Sequence, residues 1–142
     1  MNSIISQNLS NIGRVIHGFL NKNFVGDIDE AAHCSGLKKI YTINQIHSGT
    51  VFLLKDELTK EKKEEGDAIV TSMRNLGVGI YTADCVPLLL ANGDATVVAA
   101  VHAGWRGTLS GIVDRTIKRM EQDFGILSSE ISAAIGPSIG MC

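Results

Sequence analysis

Aromatic residues are scarce in this chain, at 5% of 142 positions. So few flat rings leave no platform on which successive bases of a nucleic acid could stack. Positive charge is not in excess either: 13 Lys and Arg stand against 15 Asp and Glu, for a net charge of −2. A general grip on a phosphate backbone needs clustered Lys and Arg, so no nucleic-acid partner is expected. Long hydrophobic runs are missing as well. Ile4 and Ile5 give way at once to Ser6, Gln7 and Asn8, so no secretory apolar region forms. The longest apolar stretch, Val86 to Ala91, is too short to span a bilayer, and no membrane partner is expected. Three cysteines, Cys34, Cys85 and Cys142, cannot all pair. That odd, sparse count points to a reducing, cytoplasmic setting in which cysteine serves chemistry, metal or packing.

What is present is ordinary globular composition, 44% hydrophobic and 20% charged, at a length that suits one domain with one core. The one sharp compositional shift is Lys55 to Glu65, which is nearly all charged and reads as a solvated connection. Before it, Tyr41 to Leu54 alternates with a period of two and predicts a strand, with a bulge or turn at Ser48-Gly49. Asp67 to Thr71, Val78 to Thr82 and Val86 to Leu90 predict three short strands. Asn92-Gly93-Asp94 predicts a tight connection, and Thr96 to His102 a central strand buried on both faces. Leu109, Ile112, Val113, Ile117, Met120 and Phe124 recur at helical spacing. Thr108 or Ser110 is the expected N-cap of that helix and Gly125 its left-handed C-cap. Ser128 or Ser129 opens one more turn, and Ile131 to Gly136 predicts the last strand.

Three chemistry-bearing residues fall at the ends of apolar segments: His47, Cys85 and His102, the last followed by Gly104 and Gly107. Strand ends beside glycine-bearing turns are where α/β proteins place their sites. Two imidazoles and a thiolate are a zinc donor set that leaves a fourth position for water or substrate, and a water there would be acidified toward neutral pKa. The separations, 38 residues from 47 to 85 and 17 from 85 to 102, are not those of a local zinc motif, so convergence must come from the fold. Two other readings of the same residues stand beside this one. Cys85 could be a nucleophile with His102 as its base. Or Cys85 is a small buried hydrophobe, His47 a surface residue and His102 a satisfied end-cap.

The segments NQIHSGTV (Asn44 to Val51), GDAIVT (Gly66 to Thr71), YTADCVPLLL (Tyr81 to Leu90), VHAGWRGTLSGIV (Val101 to Val113) and IGPSIG (Ile135 to Gly140) occur in that order. In this combination the chain, from about Arg14 onward, resembles the laccase-domain family. Its members have been labelled multicopper polyphenol oxidoreductases, and are described as purine nucleoside phosphorylases with adenosine deaminase activity or as peptidoglycan editing factors. The resemblance implies an α+β fold of mixed β-sheets packed as a sandwich with outer helices. It implies His47, Cys85 and His102 as metal ligands and catalytic centre, with zinc as cofactor and copper in the older description. It implies phosphorolysis of adenosine, inosine, guanosine or methylthioadenosine, with a purine nucleoside and phosphate as small-molecule partners, and hydrolytic deamination of adenosine. The cysteine-hydrolase alternative, with Cys85 and His102, corresponds to editing of a peptidoglycan precursor. A non-enzymatic metal-binding or interaction module is the remaining alternative.

Around that centre, Arg106 beside the Gly104 and Gly107 amides is the candidate phosphate cradle, and Asp84 the candidate orienter of a ligand. His17, in His17-Gly18-Phe19, is a candidate pocket residue. Asp67 reads as a turn residue, Trp105 as stacking on a purine or packing under its loop, and the adjacent His33 and Cys34 as having no joint role. Two departures from the family stand out. Leu20-Asn21-Lys22-Asn23 replaces an Arg- and Gly-containing stretch, and family chains continue past IGPSIG. The expectation is therefore one domain over residues 1–142, incomplete at its C-terminus, with self-association through an uncovered sheet edge and weak turnover.

Overall fold

Most of the Thr96 to His102 run forms a central strand, Val98–Ala103, and the fold is built around it. The computed structural model describes residues 3–24, 27–57 and 64–140. In chain order the elements are β1 (Ser3–Ile4), α1 (Gln7–Ser10), β2 (Phe19–Leu20), α2 (Ile28–Cys34), β3 (Lys39–Thr42), β4 (Val51–Leu54) and β5 (Ala68–Thr71). They continue with β6 (Leu76–Gly79), β7 (Val86–Asn92), β8 (Val98–Ala103), α3 (Trp105–Leu109), α4 (Ile112–Phe124), a 3-10 turn at Ser128–Glu130 and β9 (Ile131–Ile135).

Five strands make one mixed sheet in the order β4-β5-β8-β7-β9, in which only β4 and β5 run parallel. The period-two rule sorts its side chains. Ala68 and Val70 of β5, with Ala99, Val101 and Ala103 of β8, pack with Ile112 and Met120 of α4. Ile69, Ala100 and Leu54 face the other way, onto Tyr41 and Leu76 of the parallel pair β3–β6. The result is α+β: a five-stranded sheet with α4 on one face and a small second sheet, flanked by α2, on the other. A third cluster, Leu9, Ile12, Ala91 and Ala134, seats the N-terminal segment against β7 and β9.

Three expectations change. Tyr41 to Leu54 is two strands: the second begins at Val51, after the expected turn, but the first already ends at Thr42; Asn44 keeps a single bridge to Glu65, and the backbone amides of 46–48 turn to a buried carboxylate, described below. The expected Val78 to Thr82 strand is Leu76–Gly79, in register with Lys39–Thr42. The amphipathic helix does not begin at Thr108 or Ser110. Thr108 lies inside α3, Ser110 ends it, and α4 starts after Gly111, whose φ of 71° breaks the helical path. Gly125, at φ 67°, caps α4 as expected. The Asn92 turn also holds: its side-chain oxygen accepts from Thr96 N and Val97 N, both at 2.9 Å. Of the charged connection, residues 58–63 lie outside the described residues, as does Cys142.

Candidate metal centre

Strand register brings the first two groups of the site together. Ala68 pairs with Val101 across the antiparallel β5–β8 ladder, so one step further Asp67 stands opposite His102, with His102 N donating to Asp67 O at 2.7 Å. By parity both side chains lie on the face away from α4. There His102 Nδ1 meets Asp67 Oδ1 at 2.8 Å, and both residues are buried.

The same carboxylate folds the loop that carries His47. His47 N donates to Oδ1 at 2.9 Å; Ser48 N and Ser48 Oγ donate to Oδ2 at 2.6 and 2.9 Å; Ile46 N reaches Oδ2 at 3.4 Å. Consecutive amides turned onto one anion form a nest, and the turn is made with His47 in the left-handed region, φ 57°. Burial pushes the Asp67 carboxyl toward protonation, but the hydrogen bonds from His102, Ser48 and His47 outweigh it and hold the pKa below the ordinary aspartate value. An ionised carboxylate only accepts, so His102 carries its proton on Nδ1 and presents Nε2.

Cys85 arrives from the neighbouring strand. Val86 of β7 pairs with Ala103 of β8, which sets Cys85 beside Gly104, one step past the ladder. Gln45 clamps the two loops together: its amide donates to Tyr81 O and accepts from Tyr81 N, both at 2.7 Å. Ring nitrogens of His47 and His102 and the Cys85 sulfur all lie within 4.8 Å of one another. The rings meet edge to face at 4.9 Å between centroids.

Tetrahedral zinc with bonds of ~2.0–2.3 Å needs neighbouring donors roughly 3.3–3.8 Å apart. With all three donors within 4.8 Å of one another, small side-chain adjustments at most bring them into one sphere, and two nitrogens with one sulfur are the right chemistry. The residues fit a zinc-type ion. The carboxylate–histidine contact is the usual outer support of such a site.

Gly104 leaves the space that this convergence needs. A Cβ there would stand 3.2 Å from Cys85 Sγ, 3.3 Å from His47 Cδ2 and 3.7 Å from His102 Cε1. Gly104→Ala is expected to weaken zinc binding by about tenfold, since a few tenths of an ångström matter at a coordination site, while the unfolding midpoint stays close to that of the parent. Competitive titration with a chelating dye and thermal unfolding read the two effects separately.

The remaining expected residues divide. Arg106 and Trp105 open α3 beside the centre; both are exposed, the guanidinium 5.2 Å from the indole centroid. Trp105 therefore does not pack under its loop. With Leu109, Ile139 and Val86 it walls an open cleft of about 670 Å³ that Cys85 and Gly104 also line. Asp84 lines the cleft but is exposed, and the group that orients a histidine is Asp67 instead. His17 is not brought to the centre: its Nε2 is held by Ser6 backbone at 3.0–3.1 Å, and it lines a different cavity. His33 and Cys34 do converge with Glu30, within 4.8 Å, on the exposed side of α2.

Sequence comparison meets this geometry from the other side. A family model described as "Multi-copper polyphenol oxidoreductase laccase" matches residues 24–142. The chain belongs to this laccase family. Within it, the chain is similar to a purine nucleoside phosphorylase of Clostridium acetobutylicum, 42% identical over 106 residues, which cover 75% of this chain and 44% of that protein. It is similar to one of Corynebacterium glutamicum, 45% identical over 100 residues, 69% of this chain and 40% of the relative. Among solved structures it resembles a Neisseria meningitidis protein at a TM-score of 0.67 and 33% identity, covering 78% of this chain and 43% of the other. YlmD from Geobacillus stearothermophilus gives the same TM-score at 26% identity, over 79% and 45%. The chain thus spans less than half the length of the curated laccase-family relatives it matches here.

Proposed function

We propose that this chain is a zinc-dependent purine nucleoside phosphorylase that acts on adenosine, inosine, guanosine or methylthioadenosine, with hydrolytic deamination of adenosine as a second activity. The observation that carries the reading is the convergence of His47, Cys85 and His102 on a carboxylate-supported histidine centre. The names of the relatives point the same way.

Phosphorolysis breaks the bond between ribose and base and forms one from a phosphate oxygen to the ribose. Zinc bound by His47, Cys85 and His102 would supply Lewis acidity toward a substrate oxygen or nitrogen. Trp105, Leu109 and Ile139 offer an apolar wall for the purine and keep water from its face. Arg106 is the candidate phosphate ligand, its planar fork matched to a phosphate edge. Asp67 keeps the His102 proton on Nδ1, away from the reacting side. Among the described residues no helix is long and apolar enough to cross a membrane.

Protein purified without added metal is expected to carry up to one zinc per chain, and a chelator should remove both the zinc and the release of hypoxanthine from inosine in phosphate buffer. Metal analysis beside that assay, before and after zinc is restored, makes the test. Copper in place of zinc, or turnover that needs no metal, would sink the zinc reading.

A second reading has an observation of its own. Cys85, His102 and Asp67 stand in the order nucleophile, base and orienter, the arrangement that activates a thiol in cysteine hydrolases. It predicts hydrolysis of an amide or ester substrate by chelated protein, and inactivation by a thiol-alkylating reagent in the absence of metal.

A further inference from the structure

A second cavity, of about 430 Å³, lies between the N-terminal segment, α2 and the β3–β6 pair, and none of His47, Cys85 and His102 lines it. Its volume is in the range of small-molecule sites. The floor is apolar: Leu9 and Leu76 are buried, and Leu89 and Val98, on the sheet face turned away from α4, are partly buried. Two arginines, Arg14 and Arg74, stand at the exposed margin. Among the described residues no aspartate or glutamate lines the cavity, although acidic residues outnumber basic ones in the chain. Among the described residues neither guanidinium has an ion pair or hydrogen bond. Arg14 is also held at φ 98°, a backbone conformation that a long side chain rarely adopts and that concentrates at ligand clamps.

An apolar floor under two unpaired guanidinium groups is complementary to one kind of guest. We propose that this cavity is a second binding site, for a small amphipathic anion: an organic phosphate, sulfonate or carboxylate with an apolar ring or chain. The body of the ligand lies on Leu9, Leu76 and Leu89, and its head accepts hydrogen bonds from Arg14 and Arg74, whose forked donors suit such oxygens. The wall supplied by residues 3–20 precedes the matched segment 24–142, so this site does not follow from the family assignment, and it stands whether or not the metal centre is catalytic.

Anilinonaphthalene sulfonate, an aromatic body with a sulfonate head, is the probe. Titrated into the whole chain, it should give one saturable fluorescence increase per chain. Arg14→Gln and Arg74→Gln should each weaken binding by roughly three- to tenfold, with unchanged far-UV circular dichroism. Arg74→Lys, which keeps the charge, should retain part of the affinity. Trp105→Ala, on the other cleft, should leave the titration as it is. Phenyl phosphate or phenylacetate should displace the dye, the better competitor naming the head group, and inorganic phosphate at equal concentration should not. The proposal is overturned by absence of saturable binding, by binding that survives both glutamine substitutions, or by loss of the signal in Trp105→Ala.

Discussion

Asp67→Ala is expected to cost the fold roughly 3–5 kcal/mol, the largest loss from any single change at the centre. The carboxylate is fully buried, and its removal strands the amides of His47 and Ser48, the Ser48 hydroxyl and the His102 Nδ1 proton without an acceptor. Asp67→Asn keeps one accepting oxygen but sets an amide donor against other donors, so it should fall between the parent and the alanine variant. Both should bind zinc at least 10- to 100-fold more weakly, because His102 loses its orienting partner and the His47 loop its anchor. The pH dependence carries a signature. The Asp67 pKa is lowered in the fold, so its contribution is fully present above the ordinary aspartate value of about 3.9. It is lost as the pH falls through the lowered value. Stability measured by denaturant unfolding between neutral and acid pH should therefore show an acid limb that is reduced in Asp67→Asn. Equal acid limbs in the two proteins would show that the nest is not a source of stability.

Cys85→Ala and Cys85→His should separate ligand from nucleophile. With alanine at 85 the centre keeps two imidazoles, and zinc affinity should drop by on the order of 10³. Histidine at 85 restores a third nitrogen donor, a set that zinc accepts, in a position already open to the cleft. If Cys85 is a ligand, Cys85→His recovers much of the zinc that Cys85→Ala loses, and with it the phosphorolysis of inosine. If Cys85 is a nucleophile, both variants are equally inactive whatever their metal content. Metal titration and turnover on the same three proteins decide between the two readings.

The strands that frame the site were legible because their signals are strong and local. A short β-branched run apolar on both faces reads as a central strand, and β8 lies within two residues of it at either end. The Asn92 turn and the stripe of α4 were equally plain. The metal candidates were legible as residue types, and their convergence followed from the resemblance, not from spacing. Asp67 reads as a turn residue because a lone Asp after Gly66 has the composition of a turn, and it does occupy a bend just before β5. Its role comes from register: only once Ala68 is paired with Val101 does it stand against His102. The broken strand after Tyr41 has the same origin. Period-two alternation cannot report that the amides of residues 46–48 have a better acceptor than a neighbouring strand. The split between α3 and α4 turns on the conformation of Gly111, which apolar spacing does not encode. Arg14 and Arg74 carry no shared signal, being sixty residues apart in sequence (74 minus 14) and joined only by the cavity.

The backbone at His47 has a consequence for how this chain tolerates change. A residue with a branching ring sits at φ 57°, where glycine or asparagine is at ease and most side chains lose on the order of 1 kcal/mol. A protein screened for heat resistance alone would drift toward asparagine at position 47, keeping the bend and discarding the imidazole. Ligation and thermal endurance pull in opposite directions at this one position, and a library sorted first on each trait should return different residues there.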